Sequence, residues 1–195
     1  MKDFILASQS PRRKLLLEWA EMSFEVIVKP TDEVFPEGLS IDEIPVYIAR
    51  QKAIAVKAYI QTAYHQMYAR KPVLAADTVV VLENEIIGKP KDRTHAIEIL
   101  SKLSGKKHKV ITGVVILHEE GEITFLDTTE VEFYPLTLSQ IEYYVDHYKP
   151  FDKAGAYAIQ EWIGVVGIKS VKGDFYNVMG LPISRVVQAF QNILV

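Results

Sequence analysis

The chain has 195 residues, of which 49% are hydrophobic and 24% charged, with a net charge of −3 and no cysteine. That length supports a sizeable core in one domain spanning residues 1–195. The lack of cysteine excludes disulfides, thiolate catalysis and Cys-based zinc sites, and the mildly acidic balance gives no general attraction to nucleic acid.

The first residues, Met1-Lys2-Asp3-Phe4-Ile5-Leu6-Ala7, carry too short an apolar run for a secretory signal. No stretch approaches the ~18 apolar residues of a membrane span, so a soluble cytoplasmic protein with no membrane partner is expected. Phe4 to Ala7 reads as a short buried strand and Pro11 to about Glu21 as a helix capped by Ser10; Phe24 to Val28 alternates like a second strand. Lys29 to Pro45 is an acid-rich loop with three prolines, long enough to suggest a functional role. An alanine-rich helix is expected from about Pro45 to Tyr68. The segment PVLAADTVVVLENEIIGKP reads as a strand, a tight turn at Glu83-Asn84-Glu85 and a returning strand. A helix over Thr94–Leu103 ends near Gly105, and two long strands follow, joined by a Glu-Glu-Gly turn. Leu138 to Tyr148 is a helix, Val165 to Val171 a strand, and Pro182 opens a last helix to about Ile193. Alternating helices and strands predict an α/β fold with one mixed sheet. Thr94–Pro135 with the C-terminal part is expected to form one lobe and the rest another.

Several positions carry chemistry. Arg12 and Arg13 fall in the first turn of the Pro11 helix, where the helix dipole disfavours cations by roughly 0.3–1 kcal/mol each. A polyanion at that helix start, gripped by backbone N–H groups and two guanidinium forks, would reverse the sign. Lys52 sits amid an apolar stripe formed by Ile48, Ala49, Ala53, Val56 and Ile60, so its ammonium either snorkels to solvent or meets an anion. Asp77 interrupts the apolar run VLAADTVVVL; a carboxylate there needs an ion pair, a metal or a catalytic role. Lys89 lies in the turn Gly88-Lys89-Pro90, and Gln160 closes DKAGAYAIQ, whose small residues permit close approach to a ligand. The sequence lacks both G-x-x-x-x-G-K-[ST] and G-x-G-x-x-G, metal-ligand histidine spacing and a serine-nucleophile elbow. Basic residues plus carboxylates remain, a set suited to a Mg²⁺-type cation shared with phosphates.

Taken together, LASQSPRRKLLLE, Lys52-Ala53, AADTVVVLENEIIGKP, LSGKKHKVITGV, DKAGAYAIQ and GDFYNVMGLPISRV resemble the Maf family of nucleoside triphosphate pyrophosphatases over nearly the whole chain. The resemblance implies a mixed, twisted sheet flanked by helices, with two lobes and a cleft (Maf/ITPase-like). It implies hydrolysis of a nucleoside triphosphate to monophosphate and pyrophosphate with a divalent cation, Mg²⁺ or Mn²⁺. Carried over position by position, Ser8, Arg12 and Arg13 match the phosphate-binding start, and Lys52 and Lys89 further phosphate contacts. Asp77 matches the general base and a cation ligand, with Glu33 as its partner. The combination of Arg12, Thr78 and Gln160 resembles the branch preferring dTTP and UTP, because a glutamine amide suits the imide edge of uracil or thymine. Gln9 departs from the glycine frequent at that place. The alternatives are a non-catalytic nucleotide-binding regulator of cell division and, less in keeping with the charge, a nucleic-acid binder. Modified pyrimidine substrates and a homodimer stay open.

Overall fold

The structure, a computed structural model, describes residues 3–63 and 65–193. Its seven-stranded sheet has the order β2-β1-β3-β5-β6-β7, with β4 paired to β3. The strands are β1 Phe4–Leu6, β2 Phe24–Val26, β3 Val73–Leu82, β4 Glu85–Ile87, β5 Lys107–His118, β6 Gly121–Phe133 and β7 Ile168–Lys172. The helices are α1 Pro11–Trp19, α2 Glu43–Ala63, α3 His65–Tyr68, α4 Arg93–Leu103, α5 Leu138–Tyr148, α6 Trp162–Gly167, α7 Phe175–Met179 and α8 Ile183–Ile193. β1 runs parallel to β2 and β3, whereas β4 is antiparallel to β3 and β7 to β6. The mixed α/β class expected from the sequence is the class observed.

The chain forms two compact units. The first takes Met1–Asp77, Thr112–Asp127 and Gly180–Val195. Its core gathers Ile5 and Ala7, the α2 stripe Ala49, Ala53, Val56 and Ile60, Val73 and Ala75 of β3, and Val115 of β5. Alanines on α2 and β3 bring helix and sheet together, and Gly113 of β5 permits the closest approach: a Cβ there would lie 2.3 Å from the Val46 nitrogen. Phe190 of α8 packs on Phe4 of β1, the rings tilted with centroids 4.4 Å apart. The second unit takes Thr78–Ile111 and Thr128–Met179. There His108 lies under Phe133 and edge-on to Tyr157. The expected lobe division is corrected at the C terminus, where residues 180–195 join the first unit, and at Thr112–Asp127, which does the same.

Two further expectations change. α2 begins at Glu43, not Pro45, because the Glu43 carboxylate accepts from the Ser40 amide at 2.8 Å and the Ser40 hydroxyl at 2.7 Å. The pattern Ser40-x-x-Glu43 carries that helix-start signal in the sequence itself. The stretch expected to be helical to Tyr68 is helical over Glu43–Ala63 and His65–Tyr68, and residue 64 lies outside the described residues. The strand expected at Val165–Val171 is helix first: the amides of Gly164 and Val165 bond back to Glu161 O at 2.9 and 3.3 Å, and β7 starts only at Ile168. Val165 and Val166 face solvent there, so their β-branched character does not decide the local structure. α7 corresponds to no predicted helix.

Candidate functional site

The start of α1 is built as its sequence suggests. Ser10 caps the helix in extended geometry, its hydroxyl accepting from the Arg13 amide at 3.4 Å, and Pro11 takes the first helical position. Ser8 folds back on this turn, its Oγ accepting from the Ser10 amide at 3.2 Å and from Arg13 Nη1 at 3.1 Å. Arg13 Nε donates to Gly180 O at 2.8 Å. The Arg13 guanidinium is buried, and burial holds its pKa below the usual arginine value; Asp77 opposes that shift, and Glu33 does so more weakly. Arg13, expected from the sequence as a phosphate fork, is engaged within the protein. Two of its donors hold protein atoms, and its charge at the helix start is answered by acids of the same unit. Arg12, next to it, is half-buried.

Those acids meet at Lys52. Asp77 and Thr78 are the two partly open positions of β3, an otherwise buried ten-residue strand. The Lys52 ammonium leaves the α2 stripe and lies 2.7 Å from Asp77 Oδ1 and 2.8 Å from Glu33 Oε1. The Lys52 ammonium thus meets the protein's own acids rather than open solvent. Glu33 sits on the long loop before α2 and is held there by this ion pair, with its side chain 49% exposed against 14% for Asp77. Ser8, Arg12, Arg13, Glu33, Lys52 and Asp77 thus belong to one unit, and its fold sets the Lys52 pairs and the Arg13 anchors.

Thr78, Lys89 and Gln160 belong to the second unit. Thr78 follows Asp77 along β3, so its side chain takes the opposite face. Lys89 is exposed two residues beyond the last β3–β4 ladder pair, Val80 with Ile87. The preceding carbonyl, Gly88 O, accepts from the Gly155 amide at 3.2 Å. Gly155 has φ +71° and packs on Val80, where a Cβ would lie 2.9 Å from a valine methyl, so that junction tolerates no side chain. Gln160 is exposed in a turn closed by Glu161 N donating to Ala158 O at 3.1 Å. Around this turn lies a polar network that the sequence reading missed. Buried Lys153 contacts Asp152 at 2.8 Å and Glu161 at 3.5 Å, Tyr144 donates its hydroxyl to Glu161, and that hydroxyl accepts from Ala158 N at 3.1 Å. Asp152, Lys153, Ala158 and Glu161 lie within one ten-residue segment, and Tyr144 reaches them from α5, a contact that no spacing in the sequence announces.

The donor set fits one kind of cation. Among the described residues no group of three or more His, Asp or Glu side chains gathers, so a dedicated protein cage is not built. Asp77 and Glu33 are nevertheless drawn to one ammonium. Two carboxylates are what Mg²⁺-type ions take from protein when substrate phosphates and water complete the octahedron.

Comparison with known proteins places this geometry in context. The family profile described as "Maf-like protein" matches residues 3–193. A "dTTP/UTP pyrophosphatase" of Cytophaga hutchinsonii is 48% identical over 191 residues, covering 98% of this chain and 84% of that one. Proteins of the same description from Bacteroides thetaiotaomicron and Halalkalibacterium halodurans are each 46% identical, covering 93% and 98% of this chain and 91% and 96% of theirs. Among solved structures, the Staphylococcus aureus Ham1 protein aligns at 17% identity over 68% of this chain and 72% of that one, with a TM-score of 0.41, too remote to bear on the fold.

Proposed function

The chain belongs to the Maf family, and from that premise we propose that it hydrolyses dTTP and UTP to the nucleoside monophosphate and pyrophosphate. Whole-length similarity to proteins of that description supports the reaction. The observation that carries the site is the meeting of the Lys52 ammonium with Asp77 and Glu33, in the unit that anchors Arg13 against Ser8.

In this reading Arg12 and Lys52 bind phosphate oxygens, and Lys52 exchanges a carboxylate partner for a substrate oxygen. Arg13, fixed through Ser8 Oγ and Gly180 O, contributes a positive charge that needs no reorganisation as negative charge builds on the leaving pyrophosphate. Ser8 keeps that guanidinium in place and offers its hydroxyl to phosphate. Lys89 is a further phosphate contact by family resemblance. Asp77 takes the proton of the attacking water, a role that suits a carboxylate that is partly open at the site. A divalent cation, Mg²⁺ or Mn²⁺, would be held by Asp77 and Glu33 and would neutralise triphosphate charge when bound. Gln160 reads the imide edge of the base, with Thr78 and Arg12 as co-determinants of that preference. A cytoplasmic enzyme without nucleic-acid or membrane partners is the matching cellular picture; among the described residues no helix is long and apolar enough to cross a membrane.

The test is pyrophosphate release from each common nucleoside triphosphate and several modified pyrimidine ones, with Mg²⁺, with Mn²⁺ and with chelator. Release is expected from dTTP and UTP and to fall with chelator. Tight triphosphate binding without release would favour the regulator reading instead.

A further inference from the structure

The turn that carries Gln160 is held at both ends by one hydroxyl. Tyr144 Oη accepts from the amide of Ala158, the first residue of the turn, at 3.1 Å, and donates to the side chain of Glu161, the last. The turn itself closes through Glu161 N and Ala158 O at 3.1 Å. Between these ends Ile159 is buried and Gln160 is exposed, so the clamp presents one polar side chain. Tyr144 is fully buried on α5 and stacks on Tyr148 at 5.0 Å, which fixes its phenol. The Glu161 carboxylate is neutralised by Lys153, a lysine only 7% exposed and eight residues earlier in the chain. The backbone between them turns through two consecutive left-handed residues, Gly155 and Ala156, with φ of +71° and +57°. The Ala156 amide returns to Lys153 O at 3.1 Å.

A buried cation is costly unless it is paired, and so is a buried N–H left without an acceptor. This arrangement satisfies both with one tyrosine and one glutamate, and its product is a fixed position for the Gln160 backbone. We propose that Tyr144, Glu161 and Lys153 form a positioning unit for Gln160 and thereby set how well the enzyme binds pyrimidine imide bases. The inference rests on the reading that Gln160 contacts the base. None of the three touches substrate in it; they act through the turn. A base contact is made in ground and transition states alike, so its loss raises KM and leaves kcat nearly unchanged.

The experiment is a double-mutant cycle on the full chain, read by pyrophosphate release from dTTP, UTP and dCTP, with thermal melting as the folding control. Gln160→Ala alone is measured first. It is expected to raise KM for dTTP and UTP and to narrow their preference over dCTP; if it does neither, the base-reading role of Gln160 is wrong and the proposal falls with it. Tyr144→Phe, which keeps the ring and removes the clamp, is expected to raise KM for dTTP about tenfold with kcat within about twofold, and to have under about twofold effect on KM in the Gln160→Ala background. An equal KM penalty in both backgrounds, or an unchanged KM in a folded Tyr144→Phe protein, overturns the proposal while leaving the Gln160 assignment standing. Should Tyr144→Phe not fold, Glu161→Gln takes its place in the cycle. It keeps an acceptor for the tyrosine and is expected to give a smaller KM increase, about threefold, again only when Gln160 is present.

Discussion

Lys52 and Lys153 are each pinched by two carboxylates, and the readings proposed above give them opposite tasks. Lys52, in the first unit, lies 2.7 and 2.8 Å from Asp77 and Glu33, and one of those acids sits half-exposed on an irregular loop. Lys153, in the second unit, lies 2.8 and 3.5 Å from Asp152 and Glu161, with its side chain 9% exposed and a tyrosine hydroxyl on the far carboxylate. On the proposed function the first cluster trades a carboxylate for a phosphate oxygen, and water reaches Glu33, the partner that would leave. In the second cluster it is the lysine itself that is the more buried, 9% exposed against 19% for Lys52, and a tyrosine hydroxyl shares its Glu161 partner. On the proposed readings, similar pairs would serve ligand exchange in one unit and backbone positioning in the other, and what differs is the burial of the lysine and the tyrosine hydroxyl on its partner.

The sharpest way to break this comparison is at Asp77. Asp77→Asn should lower dTTP hydrolysis about 10³-fold, within the range for a lost general base, while melting stays near that of the parent. Normal turnover would put Asp77 among the structural ion pairs with Lys153. Next in size, Lys153→Met keeps the volume and removes the charge, and should cost about 3 kcal/mol of stability, measured by urea unfolding. A change below about 0.5 kcal/mol would mean the buried pair is no more than a surface one.

The second unit also offers a pH test that the first does not. His108 is buried with Nε2 2.7 Å from the Tyr157 hydroxyl and, among the described residues, no partner at Nδ1, and burial pushes its pKa down to about 4. The unfolded chain binds a proton near pH 6.5 and the folded one does not, so this contribution is complete above pH 6.5 and is lost as pH falls toward 4. Between pH 7 and pH 5 the loss should be on the order of 2 kcal/mol by urea unfolding, a window in which ordinary carboxylates scarcely titrate. Flat stability across that window would show that the folded state accepts the proton. The smallest effect expected is at the base. Gln160→Glu should lower kcat/KM for UTP and dTTP about tenfold, since a carboxylate cannot donate to an imide carbonyl. Unchanged kinetics would remove Gln160 from base recognition.

Much of the fold was legible locally. The Pro11 helix start with its Ser10 cap, the β3–β4 hairpin and the α2 stripe followed from capping, turn and periodicity signals, and each has a nearby partner in sequence. The α6 turn was hidden because Val165 and Val166 favour strands by type, whereas the Glu161 carbonyl receives their turn's amides. For the site, residue types and motif order pointed to Asp77, Lys52 and the paired arginines. The engagement of Arg13 by Ser8 and Gly180 was out of reach, because Gly180 lies 167 residues away.

By itself, the sequence determined the α/β class, the family and the kinds of groups that could face a triphosphate, since these depend on short-range pattern and on motif order along the chain. Only the tertiary structure decided that Lys52 meets two acids, that Arg13 is a buried strut beside Arg12, and that Tyr144 spans the Gln160 turn. Each of those facts is a contact between distant segments, made or withheld by packing and by access of water.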